Sequence, residues 1–201
     1  MIRFSLLLAV GFRLFAGTAN AEVLYQNPVI AGDHPDPSII RVGKDYWASS
    51  TSSAWGPLFP LLHSTDLVNW EQTGAVLPKR PDWATGDFWA PEISEFNGKF
   101  FVYYVGRQTN GRLAVAVATA SHPSGPYTDC GPIVAQEDGS IDPMPVTDTN
   151  GTRYLIWKED GNSRNQPTPI WAQRLNDDGT KLLGEPQELI RNTAPWEGNL
   201  V

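Results

Sequence analysis

An all-β fold of the propeller type follows from three observations. A strand–turn–strand plan recurs at a spacing of just over fifty residues, each recurrence holds about four strands, and no segment carries a convincing helical period. β-branched and aromatic residues fill the strands, while 18 Gly and 17 Pro, dispersed through the chain, supply tight turns. An antiparallel sandwich with accidental repetition is the plain rival, but it leaves the regular spacing unaccounted for.

The first unit opens at Asp36-Pro37-Ser38-Ile39-Ile40, turns at Gly43 and continues as Tyr46-Trp47-Ala48. Its second half holds Leu61-Leu62-His63-Ser64 ahead of Asp66-Leu67-Val68-Asn69-Trp70. The second unit opens at Ala90-Pro91-Glu92-Ile93, turns at Asn97-Gly98 and runs on through Phe100-Phe101-Val102-Tyr103-Tyr104-Val105, then residues 113–120. The third opens at Asp142-Pro143-Met144-Pro145-Val146, turns at Asn150-Gly151 and continues through Tyr154-Leu155-Ile156-Trp157 and residues 170–175. From 36 to 90 is 54 residues and from 90 to 142 is 52; a fourth start falls at Trp196-Glu197-Gly198-Asn199-Leu200, with 55 from 142 to 197. Four strands repeated at this period describe propeller blades.

The 201 residues are 41% hydrophobic and 11% aromatic, enough apolar material for one sizeable core. A formal net charge of -7 with no basic cluster excludes the phosphate attraction that nucleic-acid binding needs, and a neutral partner fits better. Residues 1–21 have the pattern of a secretory signal: Arg3, an apolar stretch interrupted by Arg13, then Ala19-Asn20-Ala21. Export to the periplasm or the medium is expected, leaving 22–201 as the N-terminal part of a propeller domain. No later apolar run approaches the roughly 20 residues of a membrane helix. Cys130 is the single cysteine, so neither an internal disulfide nor a cysteine-based metal site can form.

Blades set the start of their innermost strand around a central channel, so matching positions converge although distant in sequence. Here those positions carry Asp36, Asp142 and Glu197. Like charges brought together disfavour one another's ionisation, which suits acid–base chemistry with one carboxyl protonated and another ionised, or a hard cation such as calcium. A lone Asp-Pro is more often a turn; repetition in register is what points to chemistry.

The strings around these positions resemble glycoside hydrolase family 43, the arabinofuranosidases, xylosidases and arabinanases. Asn27-Pro28-Val29-Ile30 with Gly32-Asp33-His34-Pro35-Asp36-Pro37-Ser38 is similar to the family's opening motif, Trp89-Ala90-Pro91-Glu92 to its second-blade motif, Ser140-Ile141-Asp142-Pro143 to its third and Trp196-Glu197-Gly198 to its fourth. The resemblance implies a five-bladed propeller, of which about three blades plus the start of the fourth are present. It implies Asp36 as general base, Glu197 as general acid and Asp142 as the carboxylate that raises the acid's pKa and orients it, acting with inversion. It implies an arabinose- or xylose-containing oligo- or polysaccharide as partner, with no required cofactor, although the family allows a structural calcium.

For substrate contact the resemblance points to Trp89 with Ala90, while Trp55 is a candidate pocket wall, since sugar rings stack on aromatic faces. His34 serves the opening turn or the pocket. Packing is the expectation for Trp47, Trp70, Trp157 and Trp171, and a solvated turn, with the pocket rim as the alternative, for Lys158-Glu159-Asp160; His63 and His122 carry no signal. Five blades at this period need roughly 250 residues or more, so the sequence is expected to be a fragment of a longer reading frame, or else a short protein that closes its ring with another copy. Residues 22–201 alone are expected to show little or no glycosidase activity. The rival class is a non-catalytic carbohydrate-binding propeller, which accounts for the repeats and tryptophans but not for the carboxyls in register. Retaining fructosidases differ at the motif, because this chain has Pro35-Asp36-Pro37-Ser38 where they carry Asn before the Asp.

Overall fold

The computed structural model describes residues 25–194 and 196–197. The signal segment 1–21 and, within the fourth unit, Gly198-Asn199-Leu200 lie outside the described residues. Twelve strands form three four-stranded antiparallel sheets, each a meander in chain order. The first holds β1 (Ser38–Val42), β2 (Asp45–Ser49), β3 (Leu58–Ser64) and β4 (Glu71–Leu77). The second holds β5 (Ala84–Phe96), β6 (Lys99–Gln108), β7 (Leu113–Ala120) and β8 (Thr128–Val134). In the third are β9 (Ser140–Thr147), β10 (Arg153–Glu159), β11 (Ile170–Leu175) and β12 (Leu182–Ile190). The described helical structure is a single short 3-10 turn, Asn162–Arg164. These are the blades the repeat predicted, and β1, β5 and β9 lie side by side as their innermost strands.

Pleating sends successive side chains to opposite faces, and this explains why β6 and β7 of the middle blade are apolar almost throughout. Val102 and Tyr104 of β6 pack with Phe59, Val76 and Phe88 on the blade-one side. Phe101 and Tyr103, on the other face of the same strand, pack with Leu155, Trp157 and Leu175 of blade three. With both faces covered, period two disappears into a continuous apolar run. β12, whose residues are mostly exposed, keeps a polar character. Burying each large side chain between blades stabilises the fold by about 1.5–3 kcal/mol.

The hairpin turns use the residues their geometry requires. Asn97 (φ 51°) and Gly98 (φ 73°) both take the left-handed region, as a two-residue turn between β5 and β6 needs. Between β9 and β10, Asp148 Oδ1 accepts the backbone N–H groups of Asn150 and Thr152, each at 2.8 Å. One boundary differs from the sequence reading: β5 begins at Ala84, upstream of the expected start at Ala90. Register shifts along β5 let it pass through that point and continue.

Candidate active site

Each blade reaches the centre through the same local device. Asp36 (φ 50°), Ala90 (φ 39°) and Asp142 (φ 54°) all hold left-handed backbone conformations, and each is followed by proline. A non-glycine residue there costs roughly 1–2 kcal/mol, and such strain, repeated at equivalent positions of three blades, marks a constrained site. In β5 the pairing steps from Trp89↔Val105 to Glu92↔Tyr103, so Ala90-Pro91 contains an extra residue. In β9 it steps from Met144↔Ile156 to Ile141↔Lys158, so Asp142-Pro143 does the same. Bulges of this kind re-aim side chains, and proline, lacking an N–H, loses no donor to the ladder there.

The consequence is a central cleft of about 290 Å³ lined by residues 36–37, 90–92 and 142–144. Asp36 and Asp142 therefore converge, as expected. Thr51 donates its hydroxyl to Asp36 Oδ2 at 2.6 Å. Around Asp142 the protein strips water from the carboxyl and pushes its pKa above the usual aspartate value; Lys158 opposes the shift, and Asp36 and Asp160 add to it. Glu92 shares the cleft, and burial raises its pKa too, against a hydrogen bond with the Ser38 hydroxyl.

Glu197 is placed differently. It lines a second cleft of about 500 Å³ with Lys158, Thr168, Ile170, Ile190, Asn192 and Trp196. Its Oε2 accepts the backbone N–H groups of Thr193 and Ala194, each at 2.7 Å, so the carboxylate folds back onto its own loop. The structure thus brings two of the three expected carboxyls into one cleft and holds the third in another. Lys158 connects them, since its charge acts on Asp142 and its side chain lines the cleft of Glu197.

The expectation of a solvated turn at 158–160 does not hold. Lys158 donates to Asn162 Oδ1 at 3.0 Å and lies 3.8 Å from Asp160 Oδ1. Glu159 Oε2 accepts Trp171 Nε1 at 2.9 Å and Gln136 Nε2 at 3.2 Å, while Gln136 Oε1 accepts Trp157 Nε1 at 2.6 Å. Trp47 and Trp157 are core residues, as expected; Trp171 is half-buried in the Glu159 network, and Trp70 bonds Leu67 O through its ring nitrogen.

Trp89 is half-buried at the bulge beside Ala90, opposite Val105. Trp55 is 82% exposed and lines a third cleft of about 320 Å³ with His34 and Thr51. His34 Nδ1 lies 3.4 Å from Ser50 Oγ, which ties the opening turn to the end of β2. A further cleft of about 480 Å³ beside Lys79, Arg80 and Trp83 carries none of the blade-start carboxyls. Among the described residues no group of three or more His, Cys, Asp or Glu is placed to hold a metal ion, and no helix is long and apolar enough to cross a membrane.

Two residues of the site, Glu92 and Thr51, escaped the sequence reading. Glu92 carried a signal, being two residues from Ala90 and so at the position of Ser38 and Met144 in the other blades. Thr51 carried none, because its contacts with Asp36 and Ala90 arise from chain segments brought together by the sheets.

The model of the family described as glycosyl hydrolases family 43 matches residues 25–200. A xylosidase/arabinosidase of Butyrivibrio fibrisolvens is 33% identical over 187 residues, covering 89% of this chain and 34% of that protein. A non-reducing end alpha-L-arabinofuranosidase of Bacteroides ovatus is 34% identical over 132 residues, covering 62% of this chain and 25% of that protein. The crystal structure of a thermostable family-43 glycoside hydrolase superposes with a TM-score of 0.75 at 30% identity, over 87% of this chain and 59% of that one. The chain spans a quarter to about a third of the length of these curated relatives.

Proposed function

This chain belongs to glycosyl hydrolases family 43, its sheets being three blades of a five-bladed propeller, and from that premise we propose that the whole protein is an inverting glycosidase acting on arabinose- or xylose-containing oligo- and polysaccharides. The observation that carries the proposal is the convergence of Asp36 and Asp142 on one cleft at equivalent, strained X-Pro positions. Asp36 takes a proton from the water that attacks the anomeric carbon. Glu197 gives a proton to the departing glycosidic oxygen, and Asp142 is proposed to orient that acid. Inversion needs base and acid roughly 6.5–9.5 Å apart, with the water between them. Carboxyls drawn from two clefts suit such a separation better than neighbours in one.

Trp55 and Trp89, with Ala90 and His34, are proposed to contact the sugar; Ala90 lines the cleft of Asp36, and Trp55 and His34 line the cleft that Thr51 also lines. The pattern of residues 1–21 supports export, and thus action on material outside the cytoplasm. One observation favours a second reading, a carbohydrate-binding propeller without turnover: Glu197 is engaged by its own loop.

The deciding experiment is proton NMR of the first-formed product when the full-length protein cleaves an aryl arabinofuranoside or xyloside. Inverted product, with turnover lowered about 10²- to 10⁴-fold by Asp36→Asn or Glu197→Gln, supports the glycosidase reading. Retained configuration overturns inversion. Sugar binding with no turnover at all supports the second reading instead.

A further inference from the structure

Thr51 follows the end of β2, and its side chain is buried, with 8% of the residue exposed. Three contacts fix it. Its backbone N–H donates to Pro35 O at 2.9 Å, so the residue preceding Asp36 is tied to it through the main chain. Its hydroxyl oxygen accepts the backbone N–H of Ala90 at 2.7 Å, and the same hydroxyl donates to Asp36 Oδ2 at 2.6 Å.

The direction of this chain is not open to choice. A backbone N–H can only donate, so the Ala90 contact occupies an acceptor site on Oγ1; an ionised carboxylate can only accept, so the single hydroxyl hydrogen points at Asp36. A 2.6 Å O–H···O contact lies in the range of charge-assisted bonds to carboxylates. The donor depends on blade two, because Ala90 directs its N–H at Thr51 from a left-handed conformation, φ 39°. Two blades therefore determine how one oxygen of Asp36 is held. Among the described residues no hydrogen bond is recorded to the other oxygen, Oδ1.

We propose that Thr51 is the positioning residue of the base: its hydroxyl, oriented by the Ala90 N–H, pins Oδ2 of Asp36 and leaves Oδ1 as the oxygen that takes the proton of the attacking water. This rests on Asp36 being the base. During the step the proton of water passes to Oδ1 while the Thr51 proton stays on Oγ1. A base whose reacting oxygen is fixed avoids the orientational loss that otherwise falls on every turnover. The arrangement also accounts for the strain at Ala90, a residue with no functional group of its own: its backbone serves the base of the neighbouring blade.

The test is a double-mutant cycle in the full-length protein, with steady-state kinetics on an activated aryl glycoside. Thr51→Val keeps the shape and removes the hydroxyl; it is expected to lower kcat about 10- to 100-fold, a part of what a positioned base supplies, with KM changed no more than about two-fold. Thr51→Ser keeps the hydroxyl and is expected to recover most of that loss. In the Asp36→Ala background, adding Thr51→Val is expected to cost nothing further, since a residue that acts only through Asp36 has nothing left to position. Equal losses from Thr51→Val with and without Asp36, or no recovery in Thr51→Ser, would overturn the proposal. If Asp36→Ala itself retains full turnover, it is the base assignment that fails, and the cycle distinguishes that outcome from the first.

Discussion

Gly179, in the turn between β11 and β12, packs closely against blade two. It has φ +69°, and a Cβ added there would stand 2.6 Å from Phe101 Cε1, 2.7 Å from Arg153 Nη1 and 3.0 Å from Tyr103 OH. None of these can move away cheaply. Phe101 and Tyr103 are buried, and the Arg153 guanidinium lies 4.5 Å from the ring centres of both Phe96 and Phe101. The Tyr103 hydroxyl also donates to Gly179 O at 2.8 Å, so a shift of the turn breaks a buried hydrogen bond. For Gly179→Ala the left-handed backbone costs about 1–2 kcal/mol and overpacking about 1–3 kcal/mol. A stiffer unfolded chain returns about 0.4–1 kcal/mol, leaving a net loss of about 1–4.5 kcal/mol. With a urea m-value of about 2 kcal/mol/M, the unfolding midpoint falls by about 0.5–2 M. Gly151→Ala is the control: φ is +82° but nothing lies within 4 Å of the added Cβ, so the overpacking cost is absent. Urea titration of both variants followed by tryptophan fluorescence checks the reasoning. A midpoint for Gly179→Ala no lower than that of Gly151→Ala would refute the claim that the two blades are in hard contact there.

Asp142→Asn is expected to trade activity for stability. The folded protein holds the Asp142 pKa above its unfolded value, so its contribution to stability is fully present below the unfolded pKa and is lost as pH rises through the folded one. An asparagine stays neutral throughout, so the urea midpoint of the variant relative to the parent should be higher at pH 7 than at pH 3.5, while turnover at pH 7 falls at least about tenfold; a midpoint difference independent of pH would refute it. Trp55→Ala removes a ring that is 82% exposed, so melting temperature should not move; loss of about 0.5–1.5 kcal/mol of stacking on sugar predicts KM raised about 2- to 12-fold with kcat unchanged. An unchanged KM for every arabinoside and xyloside tried would remove Trp55 from the sugar pocket.

The amino-acid sequence by itself determined the blade plan and the position of the first and third carboxyls. It could do so because both are matters of local chemistry repeated at a fixed interval. Asn97-Gly98 sets a tight turn by its own backbone preferences, the apolar run of β6 records burial on both faces, and the X-Pro steps at 36–37, 90–91 and 142–143 mark three equivalent strand openings. Tertiary structure alone decided how those openings are used. Nothing in the order of residues says that Thr51 joins Ala90 to Asp36, that Lys158 bears on both Asp142 and the cleft of Glu197, or that Glu197 bonds its own loop at Thr193 and Ala194. The physical reason is one of range. Backbone preference and burial pattern act over a few residues and leave a periodic trace, whereas a hydrogen bond between residues 51 and 90 exists only because blades one and two lie side by side.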